Sequence, residues 1–239
     1  MIEALRRISS RRRHDRAAAE HTSVYLSTSL EMRDVGRMED DAIVHVIDDD
    51  PSMRRSVESL LRSVDIVART YESARAFLAS EQPDLPGCLL LDVRLPGLSG
   101  LDFQSQLERL GIGLPVIMMT AHGDIPMTVQ AMKAGATDFL PKPFRDQDLI
   151  DAVAVAIERD RVRRIDDQEL ALVRERYALL SDREKQVMAF VTNGRLNKQV
   201  AFDLGLSEIT IKIHRASGMR KMGARTLPDL VKMAQLLKL

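Results

Sequence analysis

From Ala42 onward the chain alternates between short apolar runs and longer stretches in which apolar residues recur every three or four positions. Ile43-Val44-His45-Val46-Ile47, Cys88-Leu89-Leu90-Leu91 and Pro115-Val116-Ile117-Met118-Met119 have the length of strands, and runs this continuously apolar suit strands buried on both faces. Val67 to Tyr71 and Asp138-Phe139-Leu140 are two more short strands. Between these runs the periodicity predicts helices from Pro51 (Leu60, Leu61 and Val64 inward), over Ser73 to Ala79, from Ser99 (Phe103, Leu107, Leu110), from Asp124 (Met127, Val129, Met132) and from Asp146. Asp50 can cap the first helix, whose first residue is Pro51; Ser99 to Asp102 has capping-box spacing; Gly135 closes the fourth helix. Each parallel crossover needs an intervening helix, so five strand and helix pairs in order predict an α/β doubly wound sheet of five parallel strands.

From Leu149 the apolar positions continue at Val153, Ile157, Ile165, Leu170, Val173 and Tyr177, with no Pro or Gly before Gly194. A helical linker is therefore expected over 161–178, its polar middle from Glu158 to Asp167 solvated. Beyond it, a capping box at Ser181 to Glu184 opens a helix through Val187, Phe190 and Val191 that ends at Asn193-Gly194. Asn197 to Leu204, the turn Gly205-Leu206-Ser207 and Glu208 to Met222 have helix-turn-helix proportions. On the third helix Ile209, Ile213, Ala216 and Met219 recur at spacings of three and four. Thr226 to Asp229 caps a last helix with Leu230, Val231, Met233, Ala234 and Leu237, a stripe more apolar than so small a domain easily buries alone. The expected organisation is a basic disordered extension over 1–40, an α/β domain over 41–160, the linker over 161–178 and a small all-α domain over 179–239.

Composition sharpens this division. A chain of 239 residues, 45% hydrophobic and 29% charged, has room for two domains. Its net charge of zero hides an asymmetry: residues 42–160 hold 11 Lys/Arg against 18 Asp/Glu, whereas 181–239 hold 11 against 5. A cation is implied for the first domain and nucleic acid for the second. Residues 1–37 carry eight arginines without sustained apolar period, the mark of a disordered tail, with a nucleic-acid arm or an organellar presequence as alternatives. Met38 is an alternative start, and a chain beginning there is expected to fold and bind as the full chain does. The single cysteine, Cys88, lies in an apolar run as a small hydrophobe, which fits a reducing compartment. No apolar stretch approaches the roughly 20 residues of a membrane span and the amino terminus lacks the apolar core of a secretory signal, so a cytoplasmic protein with no membrane partner is expected.

Candidate chemistry gathers at the strand ends. Asp48 and Asp49 follow the first run, Asp92 ends the third, Thr120 ends the fourth and Lys142 follows the fifth. In a parallel sheet these carboxyl ends face one crevice. Three carboxylates there repel by about 4 kcal/mol per pair at about 4 Å and an effective dielectric near 20, so a positive charge belongs among them. Lys142 supplies one, and a hard divalent cation, Mg²⁺ or Mn²⁺, the remainder. A nucleophilic carboxylate, a cation and donors for the other oxygens are what phosphoryl transfer to an aspartate requires, with Asp92 as nucleophile.

At these positions the sequence resembles the receiver domain of two-component response regulators, with a flavodoxin-like fold, over about 42–160. The resemblance implies that Asp92 is the phosphoacceptor and that Asp49 binds the metal directly, Asp48 largely through water, with Asp92 and the backbone carbonyl of Arg94 completing the set. It makes Thr120 and Lys142 the phosphoryl-binding pair, and Thr120 and Phe139 the switch. Arg94 and His122, two positions past Asp92 and Thr120, are expected to flank the water path and tune the lifetime of the phosphorylated state.

The basic end resembles the LuxR-type helix-turn-helix effector of NarL/FixJ-type regulators, through Leu180 to Glu184, Asn197 to Ala201 and Thr210 to Arg215. That resemblance makes Lys212, Ile213 and Ala216 base-facing, with Lys198, Thr210, Arg215, Arg220 and Lys221 completing the DNA-binding set; Arg215, Arg220 and Lys221 are assigned to phosphates. Ala216 departs from the longer polar residue frequent in relatives, which leaves the base it reads open.

Together these resemblances imply a phosphorylation-controlled transcription regulator. A sensor histidine kinase would donate phosphate to Asp92, the receiver would homodimerise or release the basic domain, and promoter DNA would be bound, with RNA polymerase a further expected partner. It would not be an enzyme beyond Mg-dependent self-phosphorylation and slow self-dephosphorylation. One rival is an aspartyl-phosphate phosphatase of the haloacid-dehalogenase type, which needs a second Asp where this chain has Arg94. Another is a DNA binder indifferent to phosphorylation.

Overall fold

The computed structural model describes residues 42–121 and 125–239. The chain divides into two compact units at Asp160 and Arg161. In the first, β1 (Ile43–Ile47), α1 (Pro51–Ser63), β2 (Val67–Tyr71), α2 (Ala74–Ala79), β3 (Gly87–Asp92), α3 (Gly100–Leu107), β4 (Val116–Thr120), α4 (Ile125–Lys133) and β5 (Asp138–Pro141) alternate as expected. All strand pairs are parallel, in the order β2-β1-β3-β4-β5 of the flavodoxin-like doubly wound fold. The order reverses between β1 and β3, which places the crevice beside Asp48 and Asp92.

Every residue of β1, β3 and β4 is buried, which explains their unbroken apolar character. Alternation then sorts the side chains by face. Val44, Val46, Cys88, Leu90, Ile117 and Met119 pack with Val57 and Leu61 of α1 and with Leu149, Val153 and Ile157 of the following helix. Ile47, Leu89, Leu91, Val116 and Met118 pack instead with Phe77 of α2, Phe103 and Leu107 of α3 and Ala131 of α4. Burial drives the Cys88 thiol far up, as its apolar setting implies.

Three helix faces of this unit differ from the periodic reading. Val64, placed inward by its spacing, is the C-cap of α1 and is exposed. Leu110 lies past the end of α3 and is 48% exposed, because the chain turns at Gly111 (φ +72°) and Ile112 takes the inward place. Along α4, Ile125, Val129 and Met132 are exposed, and Ala131 with Met127 supplies the packing.

The helix α5 runs from Asp146 to Ala178, so the expected fifth helix and linker are one element. Its polar middle is not wholly solvated: Asp160 is buried, and its Oδ2 accepts the Gly87 N–H at 3.1 Å. That N–H opens β3 and needs an acceptor where water is excluded. Gly87 itself can be nothing else, since a Cβ there would fall 2.1 Å from the Ile43 carbonyl oxygen.

The second unit contains the end of α5, α6 (Asp182–Thr192), α7 (Asn197–Leu204), α8 (Glu208–Met222) and α9 (Leu227–Leu236). Part of the α9 stripe is covered within this unit, while Val231, Met233 and Leu237 remain half-buried. Leu230 and Ala234 are buried with Val173 of α5, Met188 of α6 and Met222 of α8, and Tyr177 and Met233 pack against them. Val187, Val191, Val200, Ala201 and Ile211 form a second cluster. No helix among the described residues is long and apolar enough to cross a membrane.

Candidate functional site

Each acid at the sheet edge is placed by local backbone chemistry. Asp50 is the N-cap of α1, its Oδ1 accepting the Ser52 N–H at 2.8 Å. This leaves Asp48 and Asp49 for the crevice. The Asp48 N–H is tied to the Tyr71 carbonyl at 3.1 Å, and its Oδ1 accepts the Asp50 N–H at 2.9 Å. Arg54, one turn into α1, donates to the Asp48 and Asp49 carbonyls at 2.6 and 3.1 Å, clamping the acidic loop. Asp92 ends β3, and the chain then doubles back so tightly that the Gly100 N–H meets the Val93 carbonyl at 2.9 Å. A Cβ on Gly100 would lie 2.1 Å from the Asp92 carbonyl oxygen, so only glycine allows this approach.

Asp48, Asp49 and Asp92 each offer a carboxylate oxygen, all within 4.8 Å of one another; Asp48 and Asp92 are buried and Asp49 is exposed. Lys142 lies between the buried two, its Nζ 2.6 Å from Asp48 Oδ2 and 3.3 Å from Asp92 Oδ1. Its backbone N–H donates to the Thr120 carbonyl at 2.7 Å, which fixes the lysine beside the end of β4. Burial raises the Asp92 carboxyl above the usual aspartate range; Lys142 opposes the rise, Asp48 adds to it, and the Arg94 N–H opposes it again. The donor set is all oxygen, anionic and open on the Asp49 side, which fits Mg²⁺ or a similar hard cation.

Thr120 is fully buried at the end of β4. Phe139 is half-buried in β5 against the core that includes Met118 and Ala131. Arg94 is exposed on the loop after β3, while His122 lies outside the described residues, as does the 1–40 extension. The sequence reading missed Arg54, because its purpose is visible only once the carbonyls it reaches are placed.

In the second unit the turn of the helix-turn-helix is made by Gly205 at φ +64°, and Ser207 caps α8 by accepting the Thr210 N–H at 3.1 Å. Lys198, Lys212, Ile213, Ala216 and Arg220 are exposed, and Thr210 is half-buried. Arg215 is half-buried and donates to Asn197 Oδ1 at 3.3 Å. The apolar spacing on α8 is not its core face: Ile209 and Ile213 are exposed, and Ile211, Gly218 and Met222 face inward.

Lys221, expected at a phosphate, is exposed and also pairs with a carboxylate of its own domain. Its Nζ lies 2.7 Å from Oε2 of the buried Glu184, whose same oxygen accepts the Ser181 N–H at 2.7 Å. Lys221, Ser217 and Ser181 hold the Glu184 carboxyl down to about 2. The lysine charge thus contributes to the fold. Arg176 of α5 likewise closes the C-terminus of α8, donating to the Met222 carbonyl at 3.1 Å.

Comparison with known proteins identifies both domains. Residues 44–154 match the response regulator receiver domain, and residues 178–234 match the bacterial regulatory proteins of the luxR family. The chain is 56% identical over 196 residues to nodulation protein W of Bradyrhizobium diazoefficiens, spanning 82% of this chain and 86% of that one. It is 45% identical over 193 residues to the transcriptional regulatory protein FixJ of Azorhizobium caulinodans, spanning 81% and 92%. Among solved structures, the response regulator StyR is similar with a TM-score of 0.71 at 42% identity, over 82% of this chain and 98% of that one.

Proposed function

This chain belongs to the response regulators that join a receiver domain to a LuxR-type DNA-binding domain, and from that premise we propose that Asp92 accepts the phosphoryl group. It is a phosphorylation-controlled transcription regulator, whose receiver implies a histidine kinase partner and whose LuxR-type domain implies DNA. The observation that carries the assignment is Lys142 bridging Asp48 and Asp92 beside a third carboxylate.

In the proposed step an Asp92 carboxylate oxygen forms a bond to phosphorus while the bond from phosphorus to the kinase imidazole nitrogen breaks, and the electron pair leaves with the imidazole. Lys142 shifts from Asp48 to a phosphoryl oxygen, Thr120 donates to another, and the Arg94 N–H lies beside Asp92 throughout. Asp48, Asp49, Asp92 and the Arg94 carbonyl would hold Mg²⁺ or Mn²⁺. When bound, the cation neutralises the developing charge on the phosphoryl oxygens and favours ionised Asp92. Movement of Thr120 draws Phe139 inward, which changes the surface formed by α4 and β5. The rate at which the phosphoryl group is lost is set in part by Arg94 and His122, which flank the path of water. Apart from this self-phosphorylation and slow self-dephosphorylation the protein has no turnover.

The exposed Ile125, Val129 and Met132 on α4 support a homodimer formed by the phosphorylated receiver. Lys198, Thr210, Lys212, Ile213, Arg215, Ala216, Arg220 and Lys221 form the DNA-binding set, over a domain spanning 179–239 that is completed by the end of α5. RNA polymerase at the promoter is a further partner in this reading. A cytoplasmic location follows from these partners.

Intact-mass analysis after incubation with acetyl phosphate tests the site. The expected result is a gain of one phosphoryl group that needs Mg²⁺, disappears with chelator and is absent in Asp92→Asn. Equal labelling of Asp92→Asn would refute the assignment.

A further inference from the structure

The proposed DNA contacts include Ile213 but leave Ile209, on the same outer face of α8, without a purpose. Ile209 is 71% exposed and Ile213 62% exposed, although the same helix buries Ile211 and Met222 completely. A single exposed isoleucine needs no explanation. Here two occupy consecutive turns, Ala216 extends the stripe by three residues, and the exposed Lys212 stands beside them. Spacings of four and three put positions 209, 213 and 216 on one helix face. The first turn is also well ordered, since the Ser207 hydroxyl caps it.

This face belongs to the second helix of a helix-turn-helix, the element that meets base edges in the major groove. Isoleucine offers no donor or acceptor to those edges. The one apolar group displayed there is the C5-methyl of thymine, which distinguishes A·T from T·A and from both G·C orientations. With a rise of about 1.5 Å per residue, Ile209 and Ile213 are about 6 Å apart along the axis, close to two base steps of about 3.4 Å.

On the reading that α8 enters the major groove, we propose that Ile209 is a specificity residue that works with Ile213, each packing on a thymine methyl. The half-site therefore carries thymine at two positions about two base pairs apart. The lysine and arginine contacts supply affinity for phosphates, and this apolar pair supplies a preference that salt leaves untouched.

The test begins with duplexes enriched from a random pool by the full-length chain treated with acetyl phosphate and Mg²⁺. Each thymine of the enriched site is then replaced by uracil, which removes the methyl alone. Losing one buried methyl contact should weaken binding about fourfold at each of two thymines per half-site. In Ile209→Ala one of these penalties should vanish and the other remain, and Ile213→Ala should show the reverse pattern. A flat uracil scan, or penalties unchanged in both variants, overturns the inference while leaving DNA binding intact. Failure to enrich any sequence overturns the DNA-binding reading itself, and this inference with it.

Discussion

His45 is a titratable ring sealed inside the receiver. It is 1% exposed, with Nδ1 3.1 Å from the Tyr71 hydroxyl and the Phe77 ring edge-on at 5.4 Å. Burial, helped by the charge of Arg69, lowers its pKa from 6.5 to about 4. The folded state therefore holds His45 neutral where the unfolded chain would protonate it. The stability this represents is complete above pH 6.5 and drains away as pH falls from there toward 4, by roughly 3 kcal/mol in all. Hydrogen exchange of β1 and β3 should show that loss in the wild type, and His45→Phe should flatten it; an unchanged slope in the variant would exclude His45 as its source. Residues differ in how plainly sequence declares them. Asp92 is legible because an apolar run ends on an acid before Pro96 and Gly97. Arg54 and Asp160 are not, because an arginine or aspartate in a helix reads as a solvated charge until the backbone groups it bonds are located.

At the scale of elements, periodicity identified each strand and helix of the receiver, since continuous burial on both faces leaves little freedom in β1, β3 and β4. It failed where one helix serves two cores. Helix α5 packs Leu149, Val153 and Ile157 on the receiver sheet, then Val173 and Tyr177 on α9, so a segment expected to be linker completes the second domain. The capping box of α6 was legible, but its glutamate has a further duty that sequence could not disclose, because Lys221 is remote in the chain. Removing that lysine leaves a buried carboxylate underpaired, so Lys221→Ala should destabilise the DNA-binding domain by about 2 kcal/mol in urea unfolding. The sign with pH follows from the lowered pKa: the stabilisation is present above about pH 4.5 and is lost as pH falls toward about 2. Lys221→Ala should shrink that acid-labile component, and a variant as stable as wild type at pH 7 would show the pair to be idle.

For the whole molecule, the zero net charge conceals an acidic receiver and a basic effector. Three of the receiver's acids, Asp48, Asp49 and Asp92, cluster where together they could hold a cation. The basic excess of the effector lies partly on α8, where Lys212 and Arg220 are exposed. Which domain holds the input and which the output was therefore readable from charge and motif, whereas the extent of each core had to be seen. The claim that joins the two is that phosphate on Asp92 raises affinity for promoter DNA. Fluorescence anisotropy of a labelled promoter duplex, titrated with the full-length chain with and without acetyl phosphate and Mg²⁺, measures it directly. Wild-type affinity should rise on phosphorylation while Asp92→Asn stays at the unphosphorylated level; an affinity indifferent to the donor, or an Asp92→Asn variant that responds as wild type does, would contradict the account.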